Sequence, residues 1–182
     1  MVHLVGPYLV VIRGPLGVGK TTVSEALARR LGARHVSIDD VLEKNGLEEW
    51  DADRISLPSF LRANEFVEAT ARGELEHGIP VVVDGNFYWK EAIEDLCRRL
   101  QFEHFVVTLT APVEVCIARD RRRPPTPPDR SPRAGDSLGA EAVRDVFRLV
   151  SSVPYGSEVD ATGSVGETVE TILQLLRSHQ RV

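Results

Sequence analysis

The sequence is short of several things, and each shortage narrows what the chain can do. Its two cysteines, Cys97 and Cys116, sit far apart in segments that look regular and half-apolar, so they read as reduced, packed thiols and not as a bridge. An intracellular setting fits. The five histidines, His3, His35, His77, His104 and His179, lack the spacing that builds a zinc centre, and no structural metal is expected. The N-terminus has no charged-then-apolar leader pattern and no apolar run reaches bilayer length, so a soluble, cytoplasmic protein with no membrane partner is expected. Positive charge is in deficit as well. The net charge of −5 disfavours a broad polyanion-binding surface, although a local basic groove remains compatible with it. Finally, there is no N-K-x-D segment to read guanine, and the two D-x-x-G matches, 136–139 and 160–163, come too late in the chain for a guanine-nucleotide switch.

What is present is 182 residues at 42% hydrophobic composition, enough for one α/β domain with a proper core and hardly enough for two. A single domain over 1–182 is expected. Residues 8–13 (YLVVIR) form a short apolar run ending at a glycine, the mark of a strand buried on both faces. From Lys20 to Leu31, Val23, Ala26, Leu27 and Leu31 recur at helical spacing, with Gly32 as the stop. Further strands are predicted at 35–38, 81–83, 105–109 and 158–160, and helices at 59–77, 90–101, 111–122, 139–151 and 165–178. Alternating strands and helices imply a three-layer α/β/α sandwich around a five-stranded parallel sheet. The Pro- and Arg-rich stretch 121–137 breaks the rhythm, and reads either as an inert loop or as a mobile cover over a site.

The most specific signal is Gly14-Pro15-Leu16-Gly17-Val18-Gly19-Lys20-Thr21, a G-x-x-x-x-G-K-[ST] run between a predicted strand and a predicted helix, followed by Thr22. Its glycines let successive backbone N–H groups turn toward one anion, and the helix starting near Lys20 points its positive end at the same place. Lys20 is expected to bridge the β- and γ-phosphates of ATP, and the Thr21 hydroxyl to ligate Mg²⁺. This gives a P-loop NTPase fold, which fixes the phosphate donor and leaves the reaction open.

Other residues bear on the acceptor. Ser37-Ile38-Asp39-Asp40 follows the second strand and brings carboxylates to the sheet edge that carries the phosphate loop. Asp39 is the first choice for a base taking a proton from an attacking hydroxyl, with Asp40 second; the competing assignment for either is a helix N-cap. Asp84, at the end of Val81-Val82-Val83, is placed to hold Mg²⁺ or orient the acceptor, and Gly85 and Asn86 to let the chain approach the substrate. Arg119, Arg121, Arg122 and Arg123 lead into the Pro-rich stretch, so residues 119–137 are a candidate lid whose arginines, Arg119 and Arg123 first, close over the triphosphate. Residues 41–65 are the candidate acceptor segment, with Arg54, Arg62, Asn64 and Glu65 as polar contacts. Trp50, Phe60, Phe87, Tyr88 and Trp89 could stack a ring or simply pack.

With GPLGVGKTT, the D-D pair of SIDDVLEK, the strand end VVVDGNF, the ARDRRR start of the lid and the late DATG, the chain resembles the P-loop nucleoside-monophosphate-kinase-like group, in particular small kinases of the zeta-toxin, polynucleotide-kinase and chloramphenicol-phosphotransferase type. The resemblance implies a phosphate cradle at 14–22, a base at Asp39, an acceptor-side or magnesium-side Asp84, lid arginines at Arg119 and Arg123, and main-chain contacts to adenine from 160–163. Arg130 and Arg133 are further lid candidates. The expected activity is ATP- and Mg²⁺-dependent transfer to a hydroxyl of a small molecule, a metabolite or nucleoside, by a monomer or homodimer. The alternatives are a kinase for the 5′-hydroxyl of nucleic acid, which the acidic charge disfavours, and an ATP-binding sensor that hydrolyses slowly.

Overall fold

The computed structural model describes residues 6–51, 54–125 and 136–179. In chain order they form β1 (Tyr8–Arg13), α1 (Lys20–Leu31), β2 (Arg34–Ser37), α2 (Ile38–Lys44), β3 (Trp50–Asp51), β4 (Arg54–Ile55), α3 (Leu57–Glu76), β5 (Val81–Gly85), α4 (Lys90–Leu100), β6 (Glu103–Thr110), α5 (Val113–Asp120), α6 (Gly139–Ser151), β7 (Ser157–Asp160) and α7 (Val165–His179). Five strands make one parallel sheet in the order β2-β5-β1-β6-β7, as the alternating pattern implied.

The central strand explains the layering. Successive side chains of a strand face opposite sides. In β1, Tyr8, Val10 and Ile12 pack with Val23 and Leu27 of α1 and Ile172, Leu173 and Leu176 of α7, while Leu9 and Val11 pack with Phe60, Val67 and Leu75 of α3 and Ile93 and Leu96 of α4. Both faces are therefore dry. Each such aliphatic side chain contributes roughly 1.5–3 kcal/mol relative to exposure. The parallel register then brings the strand ends to one edge: Ser37 lies opposite Asp84, Arg13 opposite both Gly85 and Thr108, and Thr110 opposite Asp160.

Three expectations shift locally. Ile38 reads as strand, but the Ser37 hydroxyl accepts from the Asp40 N–H and starts α2 at Ile38, so the helix cap is Ser37 and neither aspartate. The helix expected through Arg122 ends at Asp120. Arg119 and Arg123 therefore do not share a helical face. Within the acceptor segment, a β3–β4 hairpin precedes α3, which begins at Leu57 with Ser56 as its cap.

Arg13 is the unexpected part of the scaffold. It is fully buried at the end of β1, and burial pushes its pKa down to about 10. Its guanidinium donates through Nε to the Phe87 carbonyl (3.2 Å), through Nη1 to the Val153 carbonyl (2.7 Å) and Thr108 Oγ1 (3.4 Å), and through Nη2 to the Val150 carbonyl (3.1 Å). The last two carbonyl partners belong to and follow the C-terminal turn of α6, where orphaned carbonyls favour a cation. One side chain thus joins β1, β6, the segment after β5 and the end of α6. Replacing Arg13 by Met strands these oxygens in the interior. We expect a loss of about 3 kcal/mol or more, read as a lower urea midpoint at unchanged slope. Arg13→Lys should restore little of it, because one point of donors cannot span the four acceptors.

Candidate active site

The loop between β1 and α1 has its shape imposed by its neighbours. Gly17 has φ of 77°, and a Cβ there would collide with the Cys116 carbonyl of α5, so only glycine fits. Leu16 and Val18 are buried beneath the loop. At its end, Gly19 opens α1 in the left-handed region with no side-chain cap and no acidic residue in the first turn. The first N–H groups of α1 and its positive end are left to whatever anion the loop holds. Thr22 is exposed at this turn.

Lys20 is only 7% exposed. Its Nζ donates to the Asn86 side-chain oxygen at 2.9 Å and to the Pro15 carbonyl at 3.0 Å. Desolvation lowers its pKa, and the nearby carboxylates of Asp39 and Asp84 oppose that fall without direct contact. Next to it, the Thr21 hydroxyl donates to Asp84 Oδ2 at 3.0 Å, while His35 Nε2 meets Asp84 Oδ1 at 2.5 Å. Asp84 itself is fully buried. Thr21 and Asp84 together offer hard oxygen donors of the kind Mg²⁺ takes one or two at a time beside phosphate and water. Among the described residues no group of three or more His, Cys, Asp or Glu is arranged for a metal.

Asp39, in the first turn of α2, is half-buried and lies near the Asn86 backbone N–H. Burial raises its pKa to about 6, with Asp84 and Asp40 acting in the same direction and Lys20 and the Asn86 N–H against it. Gly85 is what lets α2 come this close. A Cβ at Gly85 would run into the Ile38 side chain, so the missing side chain makes room for the residue before Asp39. Asp40 points outward and pairs with Lys44 at 3.0 Å.

Comparison with known proteins agrees with this geometry. Residues 9–147 match the model of a family described as "AAA domain". A "Putative adenylate kinase" of Thermococcus gammatolerans is 37% identical over 173 residues, covering 92% of this chain and 85% of that one. The chain belongs to this AAA-domain family of small P-loop kinases. The fold of this kinase is also that of a gluconokinase from Sinorhizobium meliloti 1021 (19% identity, TM-score 0.69, 96% of this chain and 94% of that one). It is likewise that of a shikimate kinase from Acinetobacter baumannii in complex with shikimate (22% identity, TM-score 0.60, the same coverage).

In this kinase Arg119 works as a tie: Nη1 donates to the Val18 carbonyl (2.8 Å), and Nη2 to those of Ala161 (2.8 Å) and Thr162 (3.4 Å). It therefore joins the phosphate loop to the turn after β7. Arg123 lies 4.0 Å from the Asp120 carboxylate, and its charge is felt at Lys20. Asp120 is buried and accepts from Ser137 Oγ (2.8 Å), Gly139 N (3.1 Å) and Leu138 N (3.4 Å), while Ser137 N donates to the Pro124 carbonyl (2.8 Å). Residues 120–124 and 137–139 meet there. Arg130 and Arg133 lie outside the described residues.

On the acceptor side, Tyr88 and Trp89 hold the hairpin by one residue: the Ile55 N–H donates to Tyr88 Oη (2.7 Å) and Trp89 Nε1 to the Ile55 carbonyl (2.9 Å). Phe60, Phe87 and Tyr88 are buried and pack on one another, so these rings are core and not a platform. Arg54 stacks over Trp89 at 5.4 Å and Arg62 pairs with Glu49 at 2.6 Å. Asn64 donates its amide to Ala92 O and Asp95, and Glu65 lies 3.6 Å from Arg99; both turn toward α4, away from the strand ends. Sequence reasoning passed over Arg13, His35 and Asp120. A lone arginine closing an otherwise apolar strand was the available signal for the first.

A carboxyl whose pKa rises on folding favours the folded state while protonated. Its contribution is complete below the unfolded value near 3.8 and is lost as pH rises through about 6. Asp39→Asn should therefore melt at a higher temperature than the wild type at pH 7–8, with the gain vanishing toward pH 4. Thermal melts across that range check it.

Proposed function

We propose that this kinase uses ATP and Mg²⁺ to phosphorylate a hydroxyl group of a small molecule, with Asp39 as the base. The carrying observation is the position of Asp39 in the first turn of α2, directly after β2 and near the Asn86 turn that meets Lys20, where burial pushes its carboxyl up to about 6. A hydroxyl must shed a proton as it attacks phosphorus, and a carboxylate with a pKa just below neutrality is well matched to take it. In this reading the loop from Gly14 to Thr21 and the start of α1 hold the triphosphate, and Lys20 turns to its β- and γ-phosphates. Thr21 and Asp84 would hold Mg²⁺, which neutralises charge on the phosphate oxygens when bound. Arg119 lines the nucleotide side with the turn at 160–163, and Arg123 is a lid arginine whose charge is felt at Lys20.

The charge of the acceptor segment supports a neutral or cationic acceptor over an anionic one. Residues 38–65 hold eight carboxylates against three cations, and those cations are engaged: Lys44 by Asp40, Arg62 by Glu49, and Arg54 over Trp89. Recognition of a phosphate ester needs cations aimed at it. The second reading is an adenylate acceptor, favoured by the 37% identity to the Thermococcus gammatolerans protein. Such an acceptor is already an anion and has no proton for Asp39 to take.

A panel of neutral polyols, amino alcohols, nucleosides, gluconate, shikimate, AMP and a 5′-hydroxyl oligonucleotide, incubated with ATP and Mg²⁺ and followed by mass spectrometry, separates the readings. We expect transfer to a hydroxyl compound, a rate that climbs with pH to a plateau above about 6, and a loss of roughly 10²–10⁴-fold in Asp39→Asn at unchanged ATP affinity. Turnover of AMP alone, indifferent to Asp39→Asn, would overturn the hydroxyl reading in favour of adenylate. ATP binding with no acceptor modified would favour a sensor.

A further inference from the structure

Asn86 stands between the two halves of the site. Its side-chain oxygen accepts from Lys20 Nζ at 2.9 Å, and its backbone N–H lies near the Asp39 carboxyl. The residue is also held on both sides. Gly85 before it pairs with Arg13 across the sheet and is packed under Ile38, and Phe87 after it sits at φ of 39°, a strained value for a bulky residue. The Phe87 carbonyl is fixed by Arg13 Nε, so the Asn86 backbone stays in place when the Lys20 side chain moves.

Lys20, by contrast, has somewhere else to go. Its two direct partners are neutral oxygens, and no carboxylate reaches ion-pair distance of it among the described residues. A triphosphate in the loop offers it full negative charge, and hydrogen bonds to ionised groups are roughly twice as strong as those between neutral ones. To take that offer Lys20 must give up Asn86. The Asn86 oxygen then becomes a fixed acceptor with no protein donor, next to the carboxylate that would deprotonate the second substrate. A hydroxyl hydrogen of the second substrate can take the place that the ammonium leaves at this half-buried oxygen.

We propose that Asn86 is a latch that couples the two substrates: it restrains Lys20 until nucleotide draws the ammonium away, and the oxygen thereby released receives the acceptor hydroxyl, so nucleotide binds first. The proposal rests on the kinase reading and adds the order of binding. The latch opposes nucleotide, which gives it a sign that a purely structural residue would not have, since damage to the scaffold weakens binding. Calorimetric titration with ADP and with ATP, no acceptor present, reads that sign. Asn86→Ala should bind nucleotide about three- to tenfold more tightly than the wild type, the loss of one competing hydrogen bond. Asn86→Asp keeps the side-chain shape, turns the latch into an ion pair, and should bind at least tenfold more weakly. With the acceptor found by the panel, Asn86→Ala should raise the acceptor KM about tenfold with a smaller change in kcat.

Equal or weaker nucleotide binding in the folded alanine variant overturns the latch, as does wild-type affinity in Asn86→Asp should the alanine variant not fold. An unchanged acceptor KM overturns the coupling to the second substrate. A wild-type protein that binds neither nucleotide defeats the kinase reading itself, so the two failures are told apart.

Discussion

An ammonium group buried against neutral oxygens is the constraint around which this molecule is arranged. Lys20 loses its hydration at 7% exposure and receives two hydrogen bonds' worth of compensation from Pro15 and Asn86, with Asp39 and Asp84 contributing at longer range. Such a charge is costly to leave as it is and is strongly drawn to a phosphate. The same crowding acts in the opposite sense on Asp39, whose carboxylate is disfavoured by burial and by its acidic neighbours. Two groups of opposite charge, both made uncomfortable by the fold, thus face the edge where the strands end. In the proposed reading that discomfort is the physical content of a reactive site, since each group would gain from the transferring phosphoryl group and its acceptor.

Holding them there falls to residues with no chemistry of their own to perform. Gly85 admits Ile38, and through it α2 and Asp39, to the end of β5. Arg13 fixes Phe87, and through it the turn that carries Asn86. Gly17 seats the phosphate loop on α5, and Arg119 links that loop to the turn after β7. Each contact joins segments far apart in the chain, and the parallel register that sets Arg13 between Gly85 and Thr108 brings the ends of β1, β5 and β6 together.

That division also decides what could be read from the sequence. The apolar run of β1, the glycine loop and the periodicity of α1 are local signals, and both ends of α1 fall where the sequence puts them, at Lys20 and at Leu31 before Gly32. Local chemistry likewise made Asp39 and Asp84 stand out. The short hairpin at 50–55 was not legible, because two-residue strands carry no periodicity and its docking comes from Tyr88 and Trp89, more than thirty residues later. Ile38 was misread because a β-branched apolar residue after a strand looks like more strand, until the Ser37 cap overrides it. Arg13 was opaque for a different reason. Its partners are three main-chain carbonyls and one hydroxyl, and a carbonyl leaves no mark in an amino-acid sequence.

The meeting of residues 120–124 with 137–139 at Asp120 separates length from structure. Pro124 and Ser137 are joined by a main-chain hydrogen bond and Asp120 also holds the start of α6, so these two points are fixed to each other and to the end of α5 whatever length of chain links them. Lengthening a closed loop costs little, about 0.6 kcal/mol for each doubling. Relatives could therefore vary greatly in this stretch, and a laboratory insertion could be grafted into it, without moving the phosphate loop, so long as the aspartate at the neck is kept.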